Sequence, residues 1–215
     1  MTSPRRALVL VDVQRDYFDG PLEIQYPPHA DSLARITQAI DTATQAGVPV
    51  IAVQHTMGDE APVFNPTLPG YADHPEIESR RTDEWKSVVK RFGSIYAHTD
   101  IATWLREQEI DTVTLVGYMT NNCILASAVE GEGLELATEV LSDATGAIDI
   151  ANDAGFAPAE TVHRTIMTVL NSNLAAVATT DAWADAVRAS TSLPKSDLGT
   201  SAVQGAQRAL AERTL

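Results

Sequence analysis

A series of short, β-branched apolar runs punctuates this chain, and longer stretches with helical hydrophobic spacing lie between them. The runs are "ALVLVDV" (7–13), "VPVIAVQ" (48–54), "TVTLVGY" (112–118), one within "ELATEVLSDA" (135–144), and "LAAVATT" (174–180). The helical stretches are 31–47, 98–109, 122–134, 157–172 and 181–190. In the first of these, Leu33, Ile36, Ala39, Ile40 and Ala43 fall on one face and Gly47 marks the end. Asp181 is the expected N-cap of the last. Strands that are apolar throughout must be covered on both faces, and alternation with helices supplies that cover. The expectation is an α/β fold: a three-layer α-β-α sandwich with a mainly parallel, doubly wound sheet.

Two stretches depart from the pattern. Residues 55–86 are long and rich in Pro, Gly and acidic residues, which predicts an irregular loop, functional or disordered. Residues 191–215 begin loosely and then offer a helical "SAVQGAQRALAER", whose exposed length suggests packing on a neighbouring subunit. The expected organisation is one domain over 1–190 and a tail over 191–215 with a short helix.

The formal net charge of −14, without any sizeable Lys/Arg cluster, opposes binding to nucleic acid. The N-terminal "ALVLV" is too short for a secretory leader and reads as a strand. No apolar stretch approaches the roughly 20 residues of a membrane span. Cys123 is the only cysteine, so an intrachain disulfide is excluded, which suits a reducing cytoplasm. No Gly-x-Gly-x-x-Gly follows the first strand, where the chain reads "DVQRDYFDG", and dinucleotide binding has no support.

In open parallel sheets, sites form outside the carboxyl ends of the strands. Asp12 ends the first run, His55 follows the second, Lys90 ends "SVVK", and Cys123 follows "TVTLVGY". Taken singly, Asp12 fits a loop cap, Lys90 a solvated side chain and Cys123 a core filler. Taken together they form a chemical set. An ammonium and a helix N-terminus favour the thiolate, and a carboxylate can take the thiol proton as general base. Successive backbone N–H groups in "GYMTNNC" can hold a developing oxyanion.

"ALVLVDVQRDYF", "VVKRFGSIYAHTDIATWL" and "DTVTLVGYMTNNCILASAVEGEGLELATEVLSDATGA" together resemble the isochorismatase-like cysteine hydrolase superfamily, over about residues 7–187. The resemblance implies a triad of Cys123, Asp12 and Lys90. It also implies a cis peptide at Tyr118–Met119 and an oxyanion hole from the backbone N–H groups of Met119 and Cys123. The implied reaction is hydrolysis of a carbon–nitrogen bond of a small molecule, of amide, ureido or lactam type, through a thioester. Relatives assemble as dimers or larger, so a homo-oligomer, dimer or tetramer, is expected.

The departures narrow the subclass. Nicotinamidases of this superfamily carry a metal site with an Asp-x-His pair and a further His, whereas "VQHTMGDE" has His55 but no Asp-x-His, so neither a metal nor nicotinamide is favoured, and no cofactor is expected. Members that cleave the vinyl ether of isochorismate can lack the cysteine. That reaction, and a non-catalytic small-molecule-binding role, stand as alternatives. Phe18, His55, Phe64 and Tyr118 are the candidate substrate-binding residues. Asn121 and Asn122 are expected to cap the helix that follows, His163 and the tryptophans Trp85 and Trp104 to pack, His74 to lie in a loop and His98 to start a helix.

Overall fold

The computed structural model describes residues 3–213. Six strands form one all-parallel sheet: β1 (Arg6–Val11), β2 (Val50–His55), β3 (Lys86–Lys90), β4 (Thr112–Tyr118), β5 (Ala137–Gly146) and, after a two-stranded excursion, β8 (Ala176–Ala178). Their order across the sheet is β3-β2-β1-β4-β5-β8. Connections from β1 run outward one way and those from β4 the other, so the switch point lies between β1 and β4. The excursion is an antiparallel hairpin, β6 (Ile150–Asn152) and β7 (Gly155–Ala157).

Helices cover both faces. They are α1 (Asp16–Asp19), α2 (His29–Ala46), α3 (Pro75–Glu78), α4 (Ile101–Glu107), α5 (Leu125–Gly133), α6 (Ala159–Val169), α7 (Thr180–Ala189) and α8 (Leu198–Glu212). The alternation within β1 shows why both faces need cover. Leu8 and Leu10 pack with Ile36, Ile40 and Trp183 of α2 and α7. Ala7, Val9 and Val11 pack with Ile101, Leu105, Ala128 and Met167 of α4, α5 and α6. Each such large aliphatic side chain, fully buried, contributes about 1.5–3 kcal/mol.

Local signals explain most boundaries. Gly47 sits at φ 67° and its N–H returns to Ala43 and Thr44, ending α2. The cap of α7 is Thr179, whose hydroxyl accepts from Ala182 N, and not Asp181; Asp181 instead faces Arg35 and Gln38 of α2. α4 is shorter than its hydrophobic spacing suggested, because His98 adopts φ 57° and Asp100 engages Lys86 at 2.7 Å. The 55–86 segment is not simply irregular: it holds a 3-10 turn, α3 and the start of β3, and it buries Phe64, Asn65, Asp73 and Ile77.

At the amino end of the sheet, Arg6 and Glu139 form a buried ion pair with three nitrogen–oxygen contacts of 2.8–3.1 Å. Thr114 and Trp183 donate to the same carboxylate at 2.8 and 3.0 Å, and Arg6 also donates to the Thr191 carbonyl. The tail beyond Thr191 passes the amino ends of β4, β5 and β8 and continues into α8, which begins three residues earlier than its apolar pattern suggested because Asp197 caps it. None of α8 is buried. Among the described residues no helix is long and apolar enough to cross a membrane.

Candidate active site

The carboxyl ends of β1, β2, β3 and β4 converge on one point. Register places Val11 beside Val53 and Gly117, and His55 beside Lys90. Asp12 leaves β1 at φ 51°, a left-handed turn that aspartate tolerates. Gly117 approaches β1 so closely that a Cβ would stand 2.1 Å from the Val11 carbonyl oxygen, and its φ is 105°. Only glycine permits this packing directly beneath Asp12.

After β4 the chain passes through a cis peptide bond at Tyr118–Met119 and enters a π-helical turn, Thr120–Ile124, before α5. Cys123 lies in this turn and not at the start of the α-helix proper. Asn121 and Asn122 do not cap it through their side chains, and Asn121 Oδ1 is buried without a partner. The turn is held from outside: His163 Nδ1 lies 2.9 Å from Thr120 Oγ1, and Ser127 Oγ donates to the Cys123 carbonyl at 2.6 Å. His163 is therefore buried packing, as its mid-helix place suggested, but it also anchors the cysteine turn to α6.

Three side chains meet here. Lys90 Nζ lies 2.7 Å from Asp12 Oδ2 and 3.1 Å from Cys123 Sγ. Asp12 is 0% exposed, Lys90 1% and Cys123 3%. The Asp12–Lys90 contact is an ion pair by distance, yet no donor is aligned on either carboxylate oxygen, so both retain accepting capacity. Lys90 Nζ also reaches His55 Nδ1 and the Phe92 carbonyl, each at 3.1 Å.

Burial raises the Asp12 carboxyl above its ordinary value, and the neighbouring ammonium offsets this only in part. For Lys90, burial acts downward but the charges of Asp12 and Cys123 act upward, and the net effect is upward. The thiol departs from the sequence expectation. Burial, and then the Asp12 charge, push Cys123 up to about 12, and Lys90 does not compensate. Burial and the Asp12 charge thus both favour the neutral thiol, beside the Asp12–Lys90 ion pair. His55 is driven down to about 4 by burial and by Lys90, and is neutral.

Aromatic rings pack against one another beside His55, the neighbour of Lys90. Tyr17 contacts Phe64 and Tyr118 at centroid distances of 5.2 and 5.4 Å, and Phe18 contacts His74 and Tyr118 at 4.5 and 5.7 Å. Of the expected substrate-binding residues, Phe18, Phe64 and Tyr118 are all buried in this group. Tyr118 also shares a hydrogen bond with Ser32 at 2.8 Å. His55 is half-buried and meets Phe64 edge-on at 5.2 Å. His74 caps α3 by accepting from Glu76 N.

Two neighbours were not anticipated. Tyr17 has its hydroxyl pKa raised by burial and by the charges of Asp12 and Cys123, which places it beside the cluster. Gln14 is fully buried and joins the 55–86 segment to β1, accepting from His55 N at 2.8 Å and donating to the His55 and Tyr71 carbonyls. A recess of about 360 Å³ near Leu136, Leu174 and Leu193 lies at the opposite end of the sheet and contains none of these groups. Among the described residues, no three His, Cys, Asp or Glu side chains converge as a metal-binding group.

A parallel α/β fold with a thiol, a carboxylate and an ammonium buried together at its switch point defines a class of small hydrolase-like proteins. The Isochorismatase domain matches residues 6–182, and the chain belongs to the isochorismatase family of hydrolases. A solved structure from Burkholderia xenovorans LB400, provisionally described as an isochorismatase, is 42% identical with a TM-score of 0.93, covering 100% of both chains. YddQ of Bacillus subtilis, an uncharacterized isochorismatase family protein, is 29% identical over 179 residues, which are 82% of this chain and 97% of the relative. A cysteine hydrolase from Pseudomonas syringae pv. phaseolicola shares the fold at a TM-score of 0.80 and 23% identity, over 88% of this chain and 95% of that one.

Proposed function

We propose that the protein is a cysteine-dependent hydrolase that cleaves a carbon–nitrogen bond of a small molecule through a thioester. The observation that carries this reading is the Lys90 ammonium, in contact with both Asp12 and Cys123 in a site closed to bulk water. Asp12 Oδ takes the proton from Cys123 Sγ, and the sulfur attacks the carbonyl carbon. The ammonium of Lys90 offsets the negative charge as it moves from carboxylate to sulfur and on to the carbonyl oxygen. Met119 and Cys123 N–H groups are the proposed donors to that oxygen. The tetrahedral adduct collapses, the carbon–nitrogen bond breaks, and Asp12 returns the proton to the leaving nitrogen. Water then attacks the thioester with Asp12 as base. The acid is released, and the sulfur recovers a proton.

The resting protonation state supports a base-assisted route. A thiol pushed up to about 12 is not a preformed thiolate, so a proton acceptor with free lone pairs is required at the moment of attack. Asp12 is such an acceptor. A vinyl-ether substrate needs acid catalysis from Asp12 and no sulfur nucleophile, and the close Lys90–Cys123 contact gives the sulfur a role that such a reaction leaves unused. Assembly with further copies through α8, where Leu198 and Val203 are 64% and 59% exposed, is part of the same reading and is checked by a sizing column.

A panel of small amides, ureido compounds and lactams, assayed for ammonia or ring opening with wild type and Cys123→Ala, tests the function. The reading requires turnover of at least one compound by wild type and a loss of at least about a thousandfold in the variant. Full activity without the sulfur would contradict it.

A further inference from the structure

Lys90 carries three ammonium protons and has four acceptors in reach. Asp12 Oδ2 lies at 2.7 Å, and Cys123 Sγ, His55 Nδ1 and the Phe92 carbonyl oxygen each lie at 3.1 Å. The contact with Asp12 is the shortest, yet it is the one without hydrogen-bond alignment. The aligned hydrogen bonds of the ammonium run to sulfur, imidazole and carbonyl, and the carboxylate is met as a short ion pair. An ammonium has no lone pair, so Nδ1 of His55 is necessarily the acceptor and its proton sits on Nε2.

The placement of the imidazole is built into the fold. His55 and Lys90 are direct partners in the β2–β3 ladder. The backbone of His55 is clamped on both sides by the buried amide of Gln14, at 2.8 and 3.1 Å. Phe64 flanks the ring. Burial and the Lys90 charge keep the imidazole unprotonated, so it accepts throughout the neutral range.

We propose that His55 is a positioning residue for Lys90. By accepting one ammonium proton at Nδ1, it turns the lysine so that no N–H is aimed at Asp12, and the carboxylate keeps its lone pairs for the thiol proton. Without this acceptor the freed N–H swings to Asp12 and caps the base, and the ammonium loses its aim at the sulfur. This inference rests on the reading of Asp12, Lys90 and Cys123 as one catalytic unit. It adds a role for His55 that acts through Lys90 and not through the substrate.

Three variants separate the possibilities. Asparagine places a carbonyl oxygen where Nδ1 stands, glutamine places one nearer Nε2, and leucine removes both. For each we would measure kcat and KM on an amide turned over by wild type, and the rate of Cys123 alkylation by iodoacetamide at neutral pH. His55→Leu is expected to lower kcat and slow alkylation by about tenfold, the worth of one hydrogen bond to a charged group, with KM within about twofold. His55→Asn should restore most of both, and His55→Gln should not.

Equal rates in His55→Leu and wild type would overturn the proposal, and so would equal impairment of His55→Leu and His55→Asn. Restoration by glutamine but not asparagine would overturn it in favour of a substrate contact at Nε2. If the leucine variant does not melt cooperatively, His55→Ala takes its place. Alkylation needs no substrate, so the proposal is judged even if no amide is hydrolysed. In that case an asparagine-over-leucine pattern in alkylation upholds the role of His55, and the hydrolase reading alone fails.

Discussion

The ammonium of Lys90 rests 2.7 Å from Asp12 Oδ2, and both side chains are wholly removed from solvent. A buried pair of this kind adds little net stability, but breaking it is costly because one charge is left stranded. Lys90→Met should therefore destabilise the fold by about 3–5 kcal/mol, read from urea unfolding. The double variant Asp12→Asn/Lys90→Met should recover much of that loss while remaining inactive. Equal stability of Lys90→Met and wild type would show that the pair is not sealed as described.

Gly117 carries a second prediction. A methyl group there would meet the Val11 carbonyl at 2.1 Å with the backbone at φ 105°, so β1 and β4 must part where Asp12 begins. Gly117→Ala should cost about 1–3 kcal/mol from backbone strain alone and more from the clash. Turnover should fall further than stability, because the shift acts on the Asp12–Cys123 separation. A variant with normal melting and normal turnover would contradict the close approach.

Glu139 provides a contrast far from the site. Its carboxylate is shared by Arg6, Thr114 and Trp183, all at the amino end of the sheet. Glu139→Ala strands the Arg6 guanidinium and should destabilise by about 3–5 kcal/mol in chemical denaturation. Specific activity of the folded fraction should be unchanged. A loss of specific activity at full folding would tie this network to the site, against the present description.

The sheet was legible because each strand is buried on both faces and so is apolar without interruption, as in "ALVLV" and "TVTLVGY". Asp12, Lys90 and Cys123 could be gathered because the carboxyl-end rule needs only strand positions, not contacts. What escaped depended on partners distant in sequence. The Gln14 amide finds His55 and Tyr71 across 41 and 57 positions, which no local pattern encodes. Thr179 and not Asp181 is the cap because α7 starts at Thr180, which leaves Asp181 inside the first turn, where it meets Gln38 of α2. The β6–β7 hairpin did leave a signal, the turn-rich "NDAG" between its strands, but strands of three residues carry too little pattern to stand out.

The thiol's acidity was misjudged for a related reason. Sequence places an ammonium and a helix beside Cys123, both of which favour thiolate. It does not show that burial and a carboxylate outweigh them. Position along a strand is readable, whereas dielectric is a property of everything packed around it.

The rate of iodoacetamide alkylation at Cys123 as a function of pH, in wild type and Asp12→Asn, tests the account most directly. With the thiol held at about 12 by burial and by the Asp12 charge, the wild-type rate should climb about tenfold per pH unit from about pH 6 to about pH 10, without a plateau. Removing the carboxylate's charge leaves Lys90 facing the thiol, so the Asp12→Asn curve should bend toward its plateau at lower pH even as turnover is lost. Two curves that coincide, both levelling near the ordinary thiol value of 9.0, would contradict a thiol kept protonated by its own general base.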